Sequence, residues 1–185
     1  MALGPAVGSA PFPTSETQST SEYTGVFGGV LQDPAAPLNR YMLVDCQEAL
    51  VIGEIVCISA AGLASQITDS SVGIVGVIVA AVSGSDTAAW AQIGGSSAVA
   101  IFDSDVTTAC FLFAPATTEG GFLDIMTSTE ANMVHGARCT VAPSTATTPF
   151  TSASDASAIT GVGTLTFALG GAFVYGLANN VGATT

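Results

Sequence analysis

His135 is the single histidine of this 185-residue chain. Any Ser-His-Asp or Cys-His relay has to run through it. Its neighbours Met133, Val134, Gly136 and Ala137 read as a strand or a strand end. A structural or surface role fits it better than catalysis. One histidine also leaves a typical zinc site short of ligands. Asp103 and Asp105 alternate like calcium ligands, but no glycine follows at the sixth position and no glutamate at the twelfth. Glu119, Asp124 and Glu130 could supply a glycosidase pair, yet they are spread across turns and nothing selects two of them. Gly94-Gly95-Ser96-Ser97 lacks the lysine of a P-loop. Gly161-Val162-Gly163 and Gly170-Gly171 are followed by no helix, so they make no dinucleotide fingerprint.

The four cysteines, Cys46, Cys57, Cys110 and Cys139, contain no C-x-x-C spacing. They read as free, buried thiols of a chain made in the cytosol. Trp90 stands among Ala88, Ala89 and Ala91. It reads as a core side chain filling the space opposite small residues. The expectation is therefore no catalytic, cofactor-binding or metal-binding residue, and no enzyme.

Charge narrows the classes further. Two cations, Arg40 and Arg138, stand against fourteen carboxylates, giving a net charge of −12. Nucleic-acid binding needs clustered Lys and Arg, so none is expected. The first residues show no basic region followed by an apolar core, so no signal peptide is expected. The longest apolar run, Val72 to Val82, is about half the ~20 residues of a membrane helix, and its β-branched residues favour a buried strand. No membrane partner is expected. Only 9% of residues are charged while 49% are apolar. Lysine is absent, which removes one common means of blunting exposed strand edges. An assembly that covers those edges is one way to live with that.

The elements that would position such residues are short strands. Residues 1–40 read as an extended arm, with Pro5, Pro11, Pro13, Pro34 and Pro37 and a polar stretch from Thr14 to Thr24. The arm also carries Phe12, Tyr23, Val26, Phe27, Val30 and Leu31. It is either a flexible leader or a segment that orders on a neighbouring subunit, and its aromatics favour the second. Residues 41–185 form the compact part, which opens at Arg40 to Asp45. A relay of strands joined by glycine turns runs from Ile52 to Phe102: Gly53 to Ile58, Gly62 to Ile67, Val72 to Ala80, Ala88 to Ile93 and Ala98 to Phe102. Val106 to Ala109 reads as a short helical turn. Phe111 to Phe113, Phe122 to Met126 and Met133 to Val141 read as further strands. A long Pro/Ser/Thr/Ala loop lies near 142–160. Leu165, Phe167 and Leu169 alternate with Thr164, Thr166 and Ala168, as in a strand with one buried face. Gly170-Gly171 would turn the chain back through Ala172 to Ala178 as its antiparallel partner. The fold class is all-β: a compact antiparallel β-barrel or sandwich, with an extended N-terminal arm and little helix.

Residues 52–102 carry a pattern that resembles the small β-barrel cement proteins decorating the heads of tailed phages. Gly53-Glu54-Ile55-Val56 matches their opening strand and Ala60-Ala61-Gly62 the glycine turn. Ile74-Val75-Gly76-Val77-Ile78-Val79-Ala80 matches the central strand. Trp90-Ala91-Gln92-Ile93-Gly94-Gly95 and Ala98-Val99-Ala100 complete the pattern. Where such barrels often have a second Gly-Asp pair, Ala109-Cys110 stands here. The resemblance implies a structural virion protein on the outer capsid surface, made in the host cytoplasm. It would bind the major capsid protein and stabilise contacts between its subunits. It would be a homo-oligomer, with a trimer suggested. Covering a seam needs buried area and no nucleophile, cofactor or metal. Phe12, Tyr23, Phe27, Arg40 and Tyr41 are the expected subunit or capsid contacts. Two other readings stay open. One is a different virion component, such as a head fibre or tail tube subunit. The other is a carbohydrate or cell-surface binding module using Tyr23, Tyr41 or Tyr175.

Overall fold

The computed structural model describes residues 17–20, 27–103, 106–108, 111–115, 121–124, 132–145, 159–167 and 176–180. Described residues contain no helix, and the architecture is all-β around a closed five-stranded barrel. The strands are β1 Gln18–Ser19, β2 Val30–Gln32, β3 Arg40–Cys46, β4 Ile55–Ile58, β5 Leu63–Gln66, β6 Gly73–Ile78, β7 Thr87–Gly94, β8 Ser96–Asp103, β9 Asn132–His135, β10 Ala137–Thr145, β11 Ile159–Phe167 and β12 Gly176–Asn180.

The barrel closes in the order β3, β5, β4, β6, β7 and back to β3. Every pairing is antiparallel except β3 with β5, which is parallel. Period-2 alternation decides what fills it. Met42, Val44 and Cys46 of β3 point into the lumen with Val56, Ile58, Ile78, Ala89, Ala91 and Ile93. The alanines keep that lumen narrow enough for side chains to fill it. The opposite faces of β4 and β6 carry Ile55, Val75 and Val77, which join a second core with Phe102, Cys139, Leu165 and Phe167. These strands are buried on both faces, so their sequences run apolar almost without alternation.

The second core lies between the barrel and a three-stranded sheet in the order β10, β11, β8. Its β11 alternates as its sequence requires: Leu165 and Phe167 are buried, while Thr164 and Thr166 face partly outward. The junction is tied by backbone bonds. Ile101 N–H donates to Gly53 O at 3.0 Å, Leu123 N–H to Ile101 O at 3.2 Å and Asp103 N–H to Leu123 O at 2.9 Å.

Three strands plug places where the barrel splays. On one edge of β7, Thr87 and Ala88 pair with β1, while Ala91 and Gln92 pair with β6. The outer edge of β3 takes β2 at residues 40–42 and β5 at 45–46. Beside β6, β12 covers Gly73 to Val75, and β9 extends that edge.

Several local expectations change. Met133 to Val141 is not one strand, because Gly136 at φ 73° turns the chain between β9 and β10. Val106 to Thr108 is not helical; Val106 N–H closes a single turn onto Asp103 O. Phe113, Leu123 and Asp124 make isolated bridges rather than strands. The loop near 142–160 is shorter at both ends, since β10 reaches Thr145 and β11 starts at Ile159. Of the expected return strand Ala172 to Ala178, residues 172–175 lie outside the described residues, and β12, which holds the rest, pairs with β6 and β9 rather than with β11. The glycine pair Gly170-Gly171 lies outside the described residues, and the open sheet edge beside β6 is what β12 pairs with.

Candidate interaction surface

The outer face of β3 and β7 carries the apolar cluster Leu43, Ala88 and Trp90. Phe27, Leu31, Tyr41 and Val79 pack against it, each partly buried. Two bonds hold the crossing segment: Gly28 N–H to Leu43 O at 2.8 Å and Leu43 N–H to Gly29 O at 2.9 Å. Gly62, at φ +81°, passes directly beneath Phe27 and Gly28. Trp90 is therefore a core side chain, as its alanine neighbours suggest, but it is covered by residues 27–31 rather than enclosed in the lumen.

Of the five expected contact residues, Phe12 and Tyr23 lie outside the described residues. Phe27 and Tyr41 come together on the Leu43–Trp90 cluster of their own chain. Arg40 does not join them. It pairs with Gly94 where the β3–β7 register shifts, with its Cβ 3.1 Å from where a Cβ on Gly94 would sit. The Phe27 and Tyr41 face has a negative border. Burial pushes the Tyr41 phenol above its usual range, opposed by an Asn39 side-chain hydrogen bond and reinforced by Asp33. Asp45, two residues beyond Leu43, is also raised, by burial first and then by Asp86, with Gln47 opposing.

Beside the β8 and β11 ends lies a groove of about 280 Å³. Ala36, Pro37, Leu38 and Asn39 form one wall, and Gly95, Ser96, Thr166 and Phe167 the other. None of these residues is charged. From this groove the outer face of the three-stranded sheet continues as a row of hydroxyls, Ser96, Thr166 and Thr140, bonded in series across the strands.

Among the described residues the chemical candidates do not converge; Asp105, Cys110, Glu119 and Glu130 lie outside them. His135 is exposed on β9. Asp103 ends β8, and Asp124 bridges Phe113. Among the described residues no three His, Cys, Asp or Glu side chains gather as metal ligands would. Cys46 and Cys57 are free thiols, and the Cys139 thiol donates to Val141 O at 3.1 Å.

Two buried polar side chains escape a reading of the sequence by motifs. Gln92 donates from Nε2 to Gly94 O at 3.0 Å and Ser96 O at 2.9 Å, holding the β7–β8 turn. Glu54 is only 1% exposed. Its Oε2 accepts the Val51 N–H at 2.7 Å, and its Oε1 accepts a short hydrogen bond from the Gln66 side-chain amide. Burial pushes its carboxyl up to about 7; the two hydrogen bonds oppose the shift and Glu48 adds to it. The available signal was a carboxylate between Ile52 and Ile55, at the head of an apolar strand. A charge there needs a buried partner or a neutral state.

The chain matches no family model, no curated protein and no solved structure.

Proposed function

We propose that this chain is a structural virion protein: a cement or decoration protein on the outside of a phage head that stabilises contacts between major capsid protein subunits. The observation that carries the reading is the filled lumen of the barrel. Met42, Val44, Ile58, Ile78 and Ile93 occupy the space in which a barrel of another kind would hold a ligand. That leaves the outer surface to do the work. Strand additions supply further support. The segments Gln18–Ser19 and Val30–Gln32 join the barrel by backbone pairing, the same means by which an arm can bind a neighbour's sheet edge. The net charge of −12 keeps free copies apart until they meet a complementary surface. A homo-oligomer, with a trimer favoured, belongs to this proposal.

The test is co-sedimentation of the purified protein with expanded phage heads. The expected result is binding in fixed ratio to the shell protein and greater resistance of the heads to heat and low salt. No binding together with unchanged resistance would overturn the reading.

A further inference from the structure

We propose that Glu54 is a pH-operated latch: while its carboxyl is neutral it holds residues 121–124 against the barrel, and its ionisation releases them.

The geometry puts Glu54 at the junction of the two cores. It follows Gly53, whose carbonyl receives Ile101 N–H from β8. It precedes Ile55, whose N–H donates to Gly121 O at 2.7 Å. Gly121 N–H in turn donates to Ile67 O at 3.3 Å. Gly121 lies so close to Glu54 that an added Cβ would sit 2.4 Å from Oε1 and 2.6 Å from Cγ. Phe122 and Leu123, the next two residues, are 1% and 0% exposed. The 121–124 segment therefore closes over the Glu54 side chain and plugs the junction with two apolar residues.

Neither of the chain's two arginines, Arg40 and Arg138, is among the groups that act on this carboxyl. Glu48, from the connection after β3, is the charge that acts on it, and it is repulsive. Glu48 is itself tied down, its Oε1 accepting Gln66 N–H at 2.8 Å. Strands β5 and β6 bring no Asp, Glu, Lys, Arg or His to the site. The covering segment brings Asp124, and the end of β8 brings Asp103; both would carry the same sign. Closed, the ionised carboxylate would have two hydrogen bonds but little solvent and no opposite charge. Opening admits water to it, and the closed state yields. The neutral acid avoids that penalty, because a Gln66 amide turned to present its oxygen can accept the acid proton.

The latch stands on this cluster and not on the capsid reading. Hydrogen exchange of the whole chain, resolved by peptide and corrected for intrinsic rates, tests it in the wild type and in Glu54→Gln. The glutamine keeps the shape and an acceptor for Val51 N–H but cannot ionise. In the wild type, protection of Ile55 and of residues 121–124 should fall roughly a hundredfold between about pH 4.5 and 7.5, then level off. In Glu54→Gln the same amides should change by no more than a few-fold. Peptides covering Leu43 and Trp90 should stay better protected than residues 121–124 at every pH, because they open only on global unfolding. A flat wild-type profile, the same fall in Glu54→Gln, or protection of residues 121–124 no weaker than that of Leu43 and Trp90 at about pH 7.5 would each overturn the latch. Head binding is read separately, so failure here leaves the capsid proposal standing.

Discussion

A Cβ added to Gly62 would lie 2.7 Å from the Cβ of Phe27. The chain at Phe27 and Gly28 thus runs in close contact with the β4–β5 turn. The two backbones are linked to the same strand, since Gly28 N–H binds Leu43 O and Asp45 N–H binds Gly62 O. Phe27 is consequently seated by its own barrel as well as being the expected contact for a partner.

Gly62→Ala should unseat that crossing. The residue is at φ +81° and the new methyl meets backbone as well as the Phe27 side chain. A loss of about 1–3 kcal/mol is expected from the strained dihedral alone. Urea unfolding reads the loss, and limited proteolysis should find new cleavage near residues 27–31. Unchanged stability and an uncut segment would show that the crossing is not held this way.

Glu54→Gln should alter the pH dependence of global stability with a definite sign. The carboxyl is raised from 4.5 to about 7 in the folded chain. Its contribution is fully present below about pH 4.5 and is lost as pH rises through 7. Relative to its value in acid, wild-type stability should fall by on the order of 2–3 kcal/mol by pH 8 from this group. The Gln variant lacks that fall, so the difference between the two, read as Tm across the range, should move steadily in favour of Glu54→Gln.

Thiol reactivity should separate the cysteines. Burial pushes the Cys46 thiol up to about 12, with Asp45 and Glu48 adding to the shift. Cys57 is also raised by burial, but a Ser71 hydrogen bond opposes it and the residue is only partly buried. Alkylation followed by peptide mapping should label Cys57 well before Cys46 in the native protein, and both together in urea. Equal native rates would mean that the lumen opens readily.

Gly53→Ala and Gly84→Ala should lie at opposite extremes. At Gly53, φ +91°, a Cβ would stand 1.9 Å from Val99 O. At Gly84 nothing lies within 4 Å. The first substitution should cost more than about 3 kcal/mol or prevent folding, through backbone clash and strain. The second should fall within about 0.5 kcal/mol of wild type. Chemical denaturation of the pair checks both.

The barrel strands were legible because each is short, apolar and closed by a glycine, and those signals are local. Arg40 to Asp45 and the relay from Ile52 to Phe102 fall on β3 to β8 with ends shifted by a few residues. What stayed hidden depends on distant neighbours. Nothing near Gly176 states that its partner is Val75. The parallel contact of Asp45 with Leu63 closes the barrel, yet each residue alone reads as part of an ordinary antiparallel strand. Among the expected contacts, Phe27 and Tyr41 both pack on the Leu43–Trp90 cluster of their own chain. Arg40 and Tyr41 adjoin in sequence, but only Tyr41 packs on that cluster, and the β3–β7 register shifts between them. Glu54 lies in a strand opening, and the burial that raises its carboxyl is completed by Gly121, far along the chain.

All five barrel strands lie within residues 40–94, whereas the strand that covers the β6 edge comes from 176–180. On an emerging chain, the barrel's own strands are complete long before that cover exists. Barrel closure needs only contacts of modest sequence separation, but sealing β6 needs a loop closure across most of the protein. The order of synthesis thus leaves Gly73 to Val75 with open backbone groups for a period, the same groups that β12 later occupies. During that interval the exposed edge is the natural place for two nascent chains to stick together, so truncations ending before Gly176 should aggregate more readily than the full chain.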